Sequence, residues 1–240
     1  LEAQQGVVNQ IADTFATLQR ESAAKLAYDN YTNAIGQLID QLVTHPQTAL
    51  FLGDLVDTED DLMRHASTVT YLSVLMGLKL ENYIINERKH VDPGRAKEVT
   101  NLGLGAMRHD IGVMMLDAEV RRRFEQTHDE SDPAWQEHPA QGFRAVRGKI
   151  EPSAATVVLN HHQRFDGSGY VGGQFPILEG KRIHIFARIA AVADQFDRLH
   201  RPATLPKQPT VWVLSNLVTE PLASKFDPEV LSALLEVVPP

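Results

Sequence analysis

The chain has 240 residues, no cysteine and a formal charge of -8 at pH 7. The missing thiols exclude disulfides and thiolate metal sites and leave His, Asp and Glu as the protein ligands available to a metal. The acidic balance argues against a nucleic acid polymer or an anionic membrane surface as partner. Without a long apolar run or a basic-then-apolar N-terminus, no membrane insertion and a cytoplasmic location are expected.

Helix-period patterns dominate and strand-like alternation is scarce, so the expected fold class is all-α. Val8, Ile11, Phe15 and Leu18, then Ile35, Leu38, Ile39 and Leu42, predict two amphipathic helices within 1–44, with 45–55 as a connector. Residues 1–57 are read as an N-terminal helical segment or linker, and 58–240 as the main domain. A third helix is expected from Thr58, where TEDD resembles a capping box, through Leu62, Val69, Leu72 and Met76. It places Asp61 and His65 on one face. A fourth, over about 95–111, ends at HDIG, with Gly112 as its stop. The basic run Arg121–Arg123 reads as a solvated helix face.

A fifth helix is expected from Asp132-Pro133, carrying His138, with Pro139 kinking or restarting it. A sixth, from about Pro152, brings His161 and His162 to its C-terminal end, and the glycine-rich loop DGSGYVGGQFP follows. A seventh, from about Arg182, carries Ile183, Phe186, Ile189, Ala190 and Ala193 on its core face and Asp194 on or beside it. The last begins at Asp227-Pro228.

The adjacent His161 and His162 point about 100° apart on a helix, so one apolar face cannot bury both. Two imidazoles meeting at one point imply a shared metal. The other candidate ligands are His65, His109, Asp110, His138 and Asp194. Asp110 has two oxygens and can bridge two ions; His65 and Asp194 can complete the first, and His138, His161 and His162 the second. Two ions about 3.5–4 Å apart would lower the pKa of a bridging water and clamp a phosphate, which points to phosphoester hydrolysis. Asp166 and the following glycines also read as a simple turn, and Tyr170 as buried packing.

In order, HxxxV from His65, HDIG from His109, HPxxG from His138, HHxRxDGSGY from His161 and RIAAVAD ending at Asp194 resemble the HD-GYP domain, a branch of the HD phosphohydrolases. The resemblance covers about 60–200. It implies an HD-type helical bundle with a multinuclear centre of two or three divalent ions, iron or manganese, ligated by His65, His109, Asp110, His138, His161, His162 and Asp194. Asp61 stands where members with three metals carry a glutamate, and equally fits helix capping. The implied reaction is hydrolysis of cyclic di-GMP to pGpG or GMP through a metal-bridging hydroxide, with His109 and Asp110 catalytic. Gly169, Tyr170, Arg201 and Lys207 are the implied substrate contacts. The family context implies an upstream sensory or receiver domain and a GGDEF-type or other signalling protein as partners.

Three positions depart from the family pattern. Val113 stands in place of the lysine of HDIGK, Val171 in place of the proline of GYP, and Gln163 in place of a glutamate after the two histidines. Two alternatives follow: a weakly active or inactive signalling module that keeps the metal centre, or a phosphohydrolase for another nucleotide.

Overall fold

The computed structural model describes residues 28–44, 61–202 and 204–238, which form eleven α-helices joined by turns and short 3-10 segments, with no strand among them. The all-α expectation holds. Helix α1 (Tyr28–Thr44) buries Ile35, Leu38 and Leu42 along one stripe. Helix α2 (Asp61–Lys79) buries Val69, Leu72 and Met76. The first predicted helix, the connector at 45–55 and the Thr58 cap lie outside the described residues.

The sequence pattern misplaces several boundaries. The single helix expected over 95–111 is two: α4 (Pro93–Ala96), capped by the Asp92 carboxylate, and α5 (Thr100–Met107). Residues Ile111–Met115 then form a 3-10 segment. Gly112 is not the helix stop. A Cβ there would stand 1.9 Å from the His138 carbonyl oxygen, so glycine is required because two backbones touch.

Asp132 accepts from Ala134 N, but the helix expected there begins properly only at His138, as α7 (His138–Val146) with Pro139 in its first turn. This is the restart. Helix α8 (Pro152–Asn160) and the last helix, α11 (Pro228–Val237), start where predicted, with Glu151 and Asp227 as N-caps. Helix α9 (Ile185–His200) starts later than Arg182, capped by His184, although Ile183 is still buried.

Two helices were not foreseen, α3 (Glu81–Glu87) and α10 (Thr210–Leu217), and α6 (Ala118–Thr127) was expected only as a helix face at Arg121–Arg123. On α6, Arg122 pairs with Glu119 and Arg123 with Asp132, all near solvent, as a solvated basic run should. Helix α2 packs on α5 and α9, α8 lies against α5, α7 and α9, and the 3-10 segment after Asp110 is pressed on α7. Phe186, Met76, Leu102 and Leu104 are fully buried where these helices meet. Each such side chain contributes about 1.5–3 kcal/mol by leaving water. That rigid core fixes the positions of the polar residues between its helices.

Candidate metal centre

Five segments deliver polar side chains to one place. His65 comes from the second turn of α2, His109 and Asp110 from the turn after α5, and His138 from the first position of α7. His161 and His162 follow the end of α8, and Asp194 lies mid-way along α9. All but His65 and Asp110 are essentially excluded from solvent.

Three of the imidazoles are aimed by their own turn of chain. The Nδ1–H groups of His109, His138 and His161 donate to the carbonyls of Ala106, Trp135 and Val158, at 2.7, 2.8 and 2.9 Å. A carbonyl can only accept, so the proton is on Nδ1 and the Nε2 lone pair faces inward. His65 is oriented from further away: its Nδ1 donates to Asp197 Oδ2 at 2.7 Å.

The inward-facing atoms form two groups. Asp110, His138, His161 and His162 each offer an atom within 4.8 Å of the others, and so do His65, His109 and Asp194. Asp110 faces both. Its Oδ1 is 3.3 Å from His138 Nε2 and from His161 Nε2, and its Oδ2 is 3.3 Å from His109 Nε2.

The donor set fits divalent metal. Asp110 Oδ1, Asp194 Oδ2 and both nitrogens of His162 are buried without a hydrogen-bond partner. His138 Nε2 and His161 Nε2, both acceptors, lie 3.4 Å apart beside Asp110 Oδ1. Acceptors turned towards one another and away from water are costly unless a cation stands among them. Nitrogen and carboxylate donors in this mixture suit a borderline or hard ion.

Electrostatics separate the two groups. Burial, with His161 and His138 nearby, holds the His162 imidazole well below its usual range. Burial likewise lowers His161, to about 4, against the pull of Asp110. Both are neutral near pH 7, the form a metal needs. At His65 burial is outweighed by hydrogen bonds to Asp194 and Asp197, which raise it to about 9. Its second proton is shared towards Asp194 Oδ1 at 3.0 Å and His109 Nε2 at 3.2 Å. Burial would raise the Asp194 carboxyl, but the Arg198 guanidinium and His65 hold it well below the carboxylate range.

Among the expected substrate contacts, Tyr170 stacks on His162, with ring centroids 4.5 Å apart and planes at 21°, and its hydroxyl is buried without a partner. Gly169 lies so close to the backbone of His162 and Arg164 that a Cβ would come within 2.4 Å of both. Arg201 closes the end of α9, and Lys207 is exposed; burial first, then the charges of Lys207 and Arg201, oppose protonation of His200. Asp61 is the first residue of α2, and its side chain lies outside the described residues.

The three departures are all absorbed by packing. Val113 joins Leu116 and Trp135 in a small apolar cluster, and Val171 is buried. The Gln163 amide donates to Asn160 Oδ1 and to Pro176 O and accepts from Leu178 N, which ties the glycine-rich loop down.

Sequence reasoning missed Asp197, which orients His65, and Arg198, whose Nε donates to Asp194 Oδ1 at 2.6 Å. The signal for Arg198 was its place four residues after Asp194 on one helix. Glu130, 3.3 Å from Arg198 Nη1, gave no sequence signal.

The HD domain family model matches residues 86–230. The chain is 32% identical over 148 residues to the cyclic di-GMP phosphodiesterase response regulator RpfG of Xanthomonas campestris, a match covering 58% of this chain and 36% of that protein. It is 25% identical over 211 residues to the cyclic di-GMP phosphodiesterase PA4108 of Pseudomonas aeruginosa, covering 86% and 46%. The chain thus spans less than half the length of these two relatives. Among solved structures, Bd1817, an HD-GYP-type protein from Bdellovibrio bacteriovorus, superposes with a TM-score of 0.64 at 19% identity, over 98% of this chain and 69% of that one. That likeness carries the fold.

Proposed function

Because the chain belongs to the HD domain family, in its HD-GYP branch, we propose that it is a metal-dependent phosphodiesterase that hydrolyses cyclic di-GMP to pGpG or GMP. The observation that carries this reading is Asp110, one carboxylate facing two groups of nitrogen and oxygen donors. In it, Asp110, His138, His161 and His162 hold one ion and His65, His109 and Asp194 the other, iron or manganese. Bound there, the ions would supply Lewis acidity and make water a stronger nucleophile near neutral pH.

The chain's own contribution is orientation and exclusion of water. The Nδ1–H bonds of His109, His138 and His161 fix their tautomers, and Asp197 orients His65, so the four rings are already aimed when a ligand arrives. Asp110 and His109 are the catalytic pair in this reading. Tyr170 and Gly169 line substrate entry, and Arg201 and Lys207 supply positive charge for the dinucleotide. Upstream signalling domains belong to the same proposal, in keeping with the response-regulator relative, and so does a GGDEF-type partner.

The test is hydrolysis of cyclic di-GMP by protein reconstituted with iron or manganese in the absence of oxygen, with the metal content measured alongside. Turnover that disappears in Asp110→Ala and His109→Ala is the expected result. Loaded protein that never cleaves the dinucleotide would overturn the reading. It would favour a signalling module that keeps the centre, which one observation supports: Val113 puts an apolar side chain into the core where the family carries a lysine.

A further inference from the structure

Arg198 is not shared evenly between the two halves of the centre. Its Nε donates to Asp194 Oδ1 at 2.6 Å, and its Nη2 lies 3.4 Å from Asp110 Oδ2. Those two oxygens look onto the first group: Asp194 Oδ1 is 3.0 Å from His65 Nε2, and Asp110 Oδ2 is 3.3 Å from His109 Nε2. The oxygen that looks onto the second group, Asp110 Oδ1, receives no hydrogen bond. A permanent positive charge therefore occupies the two oxygens that face His65 and His109, while Asp194 Oδ2, 4.0 Å from His162 Nδ1, and the second position's Asp110 Oδ1 have no hydrogen-bond partner.

A guanidinium cannot lose its proton, so it can yield an oxygen to a metal only by breaking a charge-assisted hydrogen bond. Asp194 Oδ1 already receives Arg198 and His65, which uses the two lone pairs of a carboxylate oxygen. The guanidinium also has an outer partner, since Nη1 reaches Glu130 Oε1 at 3.3 Å and the Arg198 side chain is 23% exposed. It keeps a carboxylate when it gives up the inner ones.

We propose that Arg198 is a positioning residue that makes the two metal positions unequal. It holds Asp194 and Asp110 in place and competes for them, so the position at Asp110, His138, His161 and His162 fills first and the position at His65, His109 and Asp194 fills second and more weakly. This rests on the reading of the cluster as a metal centre, and does not depend on the substrate.

The experiment is a calorimetric titration of metal-stripped protein with Mn²⁺, without substrate. Wild type is expected to show two classes of site. Arg198→Gln, and Arg198→Ala where it folds, are expected to tighten the weaker class by about tenfold to a hundredfold, the equivalent of one lost charge-assisted hydrogen bond. The stronger class should move by less than about threefold, and Arg198→Lys, which keeps the charge but loses the fork, should fall between wild type and Arg198→Gln in the weaker class. Metal-free Arg198→Gln should also unfold at lower urea, because two buried carboxylates lose their counter-charge. Weaker stability with tighter metal binding is a pair of signs that a merely damaged site does not give. A weaker class that stays unchanged or loosens, or two classes that shift together, overturns the proposal. Wild type that binds no Mn²⁺ at all overturns the metal reading beneath it.

Discussion

Helix α9 carries two buried polar sites of opposite character. Near its start, Arg188 donates through Nε to Ile183 O at 2.9 Å and through Nη1 to Tyr83 Oη at 3.1 Å, and it also pairs with Asp227 and Glu87. Tyr83 donates on to Asp227 at 2.9 Å, Lys181 reaches Glu87 at 2.9 Å, and the other Asp227 oxygen caps α11. Two turns further along, Asp194 enters a cluster where acceptors face acceptors and several buried atoms have no partner. The first site closes its own hydrogen-bonding account and locks α3, α9 and α11 together. The second is left open, and an open buried polar site marks a place for something else to bind.

The widest separation between the two should come from Asp110→Asn. If the chain is the proposed phosphodiesterase, turnover of cyclic di-GMP by this variant should fall by about a thousandfold or more, the scale of losing a metal-held transition state. Its metal-free stability should stay within about 1 kcal/mol of wild type, since Asp110 Oδ1 has no hydrogen bond to lose and relieving a buried charge offsets the weakened contacts of Oδ2. A urea midpoint that collapses with the activity would show that the centre is structural as well. Arg188→Met should behave in reverse. Stranding Glu87 and Asp227 is expected to cost about 3–5 kcal/mol in urea unfolding. Metal bound per folded molecule should not change, and a loss of metal there would break the distinction.

Adding Mn²⁺ sharpens the contrast at smaller scale. At about a hundred times its dissociation constant it should stabilise wild type and Arg188→Met alike by about 2.7 kcal/mol, reversed by chelator, and do little for Asp110→Asn. The smallest effect lies beside the closed site. Burial, helped by the charges of Arg88 and Arg188, lowers His184 to about 4. The unfolded chain, with a histidine near 6.5, binds more protons between those values. Stability from this group is therefore full above about pH 6.5 and is lost as pH falls towards 4, by at most about 3 kcal/mol and by less for a partly exposed ring. Melting curves of metal-free protein over that range should flatten in His184→Asn; an unchanged slope would assign the acid sensitivity elsewhere.

What the sequence disclosed follows the range of the interaction. Helix starts set by an adjacent cap and proline, at Glu151-Pro152 and Asp227-Pro228, were legible because the cause is local. The seven His and Asp residues at the centre stood out by type and order, and the structure brings them to one place. Gly112 was misread as a helix stop because its real constraint, the His138 carbonyl, arrives from a chain segment 26 residues away. The side chain at 113 turned to Trp135 for the same reason of distant packing. The sequence pattern singled out neither Asp197 nor Arg198. Only the structure shows that one orients a histidine of α2 and the other reaches back one turn to Asp194.

The three self-aimed histidines have a consequence for anyone building such sites. In each, the imidazole is steered by the carbonyl three residues before it, so the aim is a property of a four-residue unit: Ala106–His109, Trp135–His138 and Val158–His161. A unit of that kind is portable. Placed at helix ends of an unrelated bundle whose backbones converge at the same spacing, it would bring a correctly oriented Nε2 without a supporting carboxylate. His65, which depends on Asp197 from another helix, would have to be transplanted as a pair.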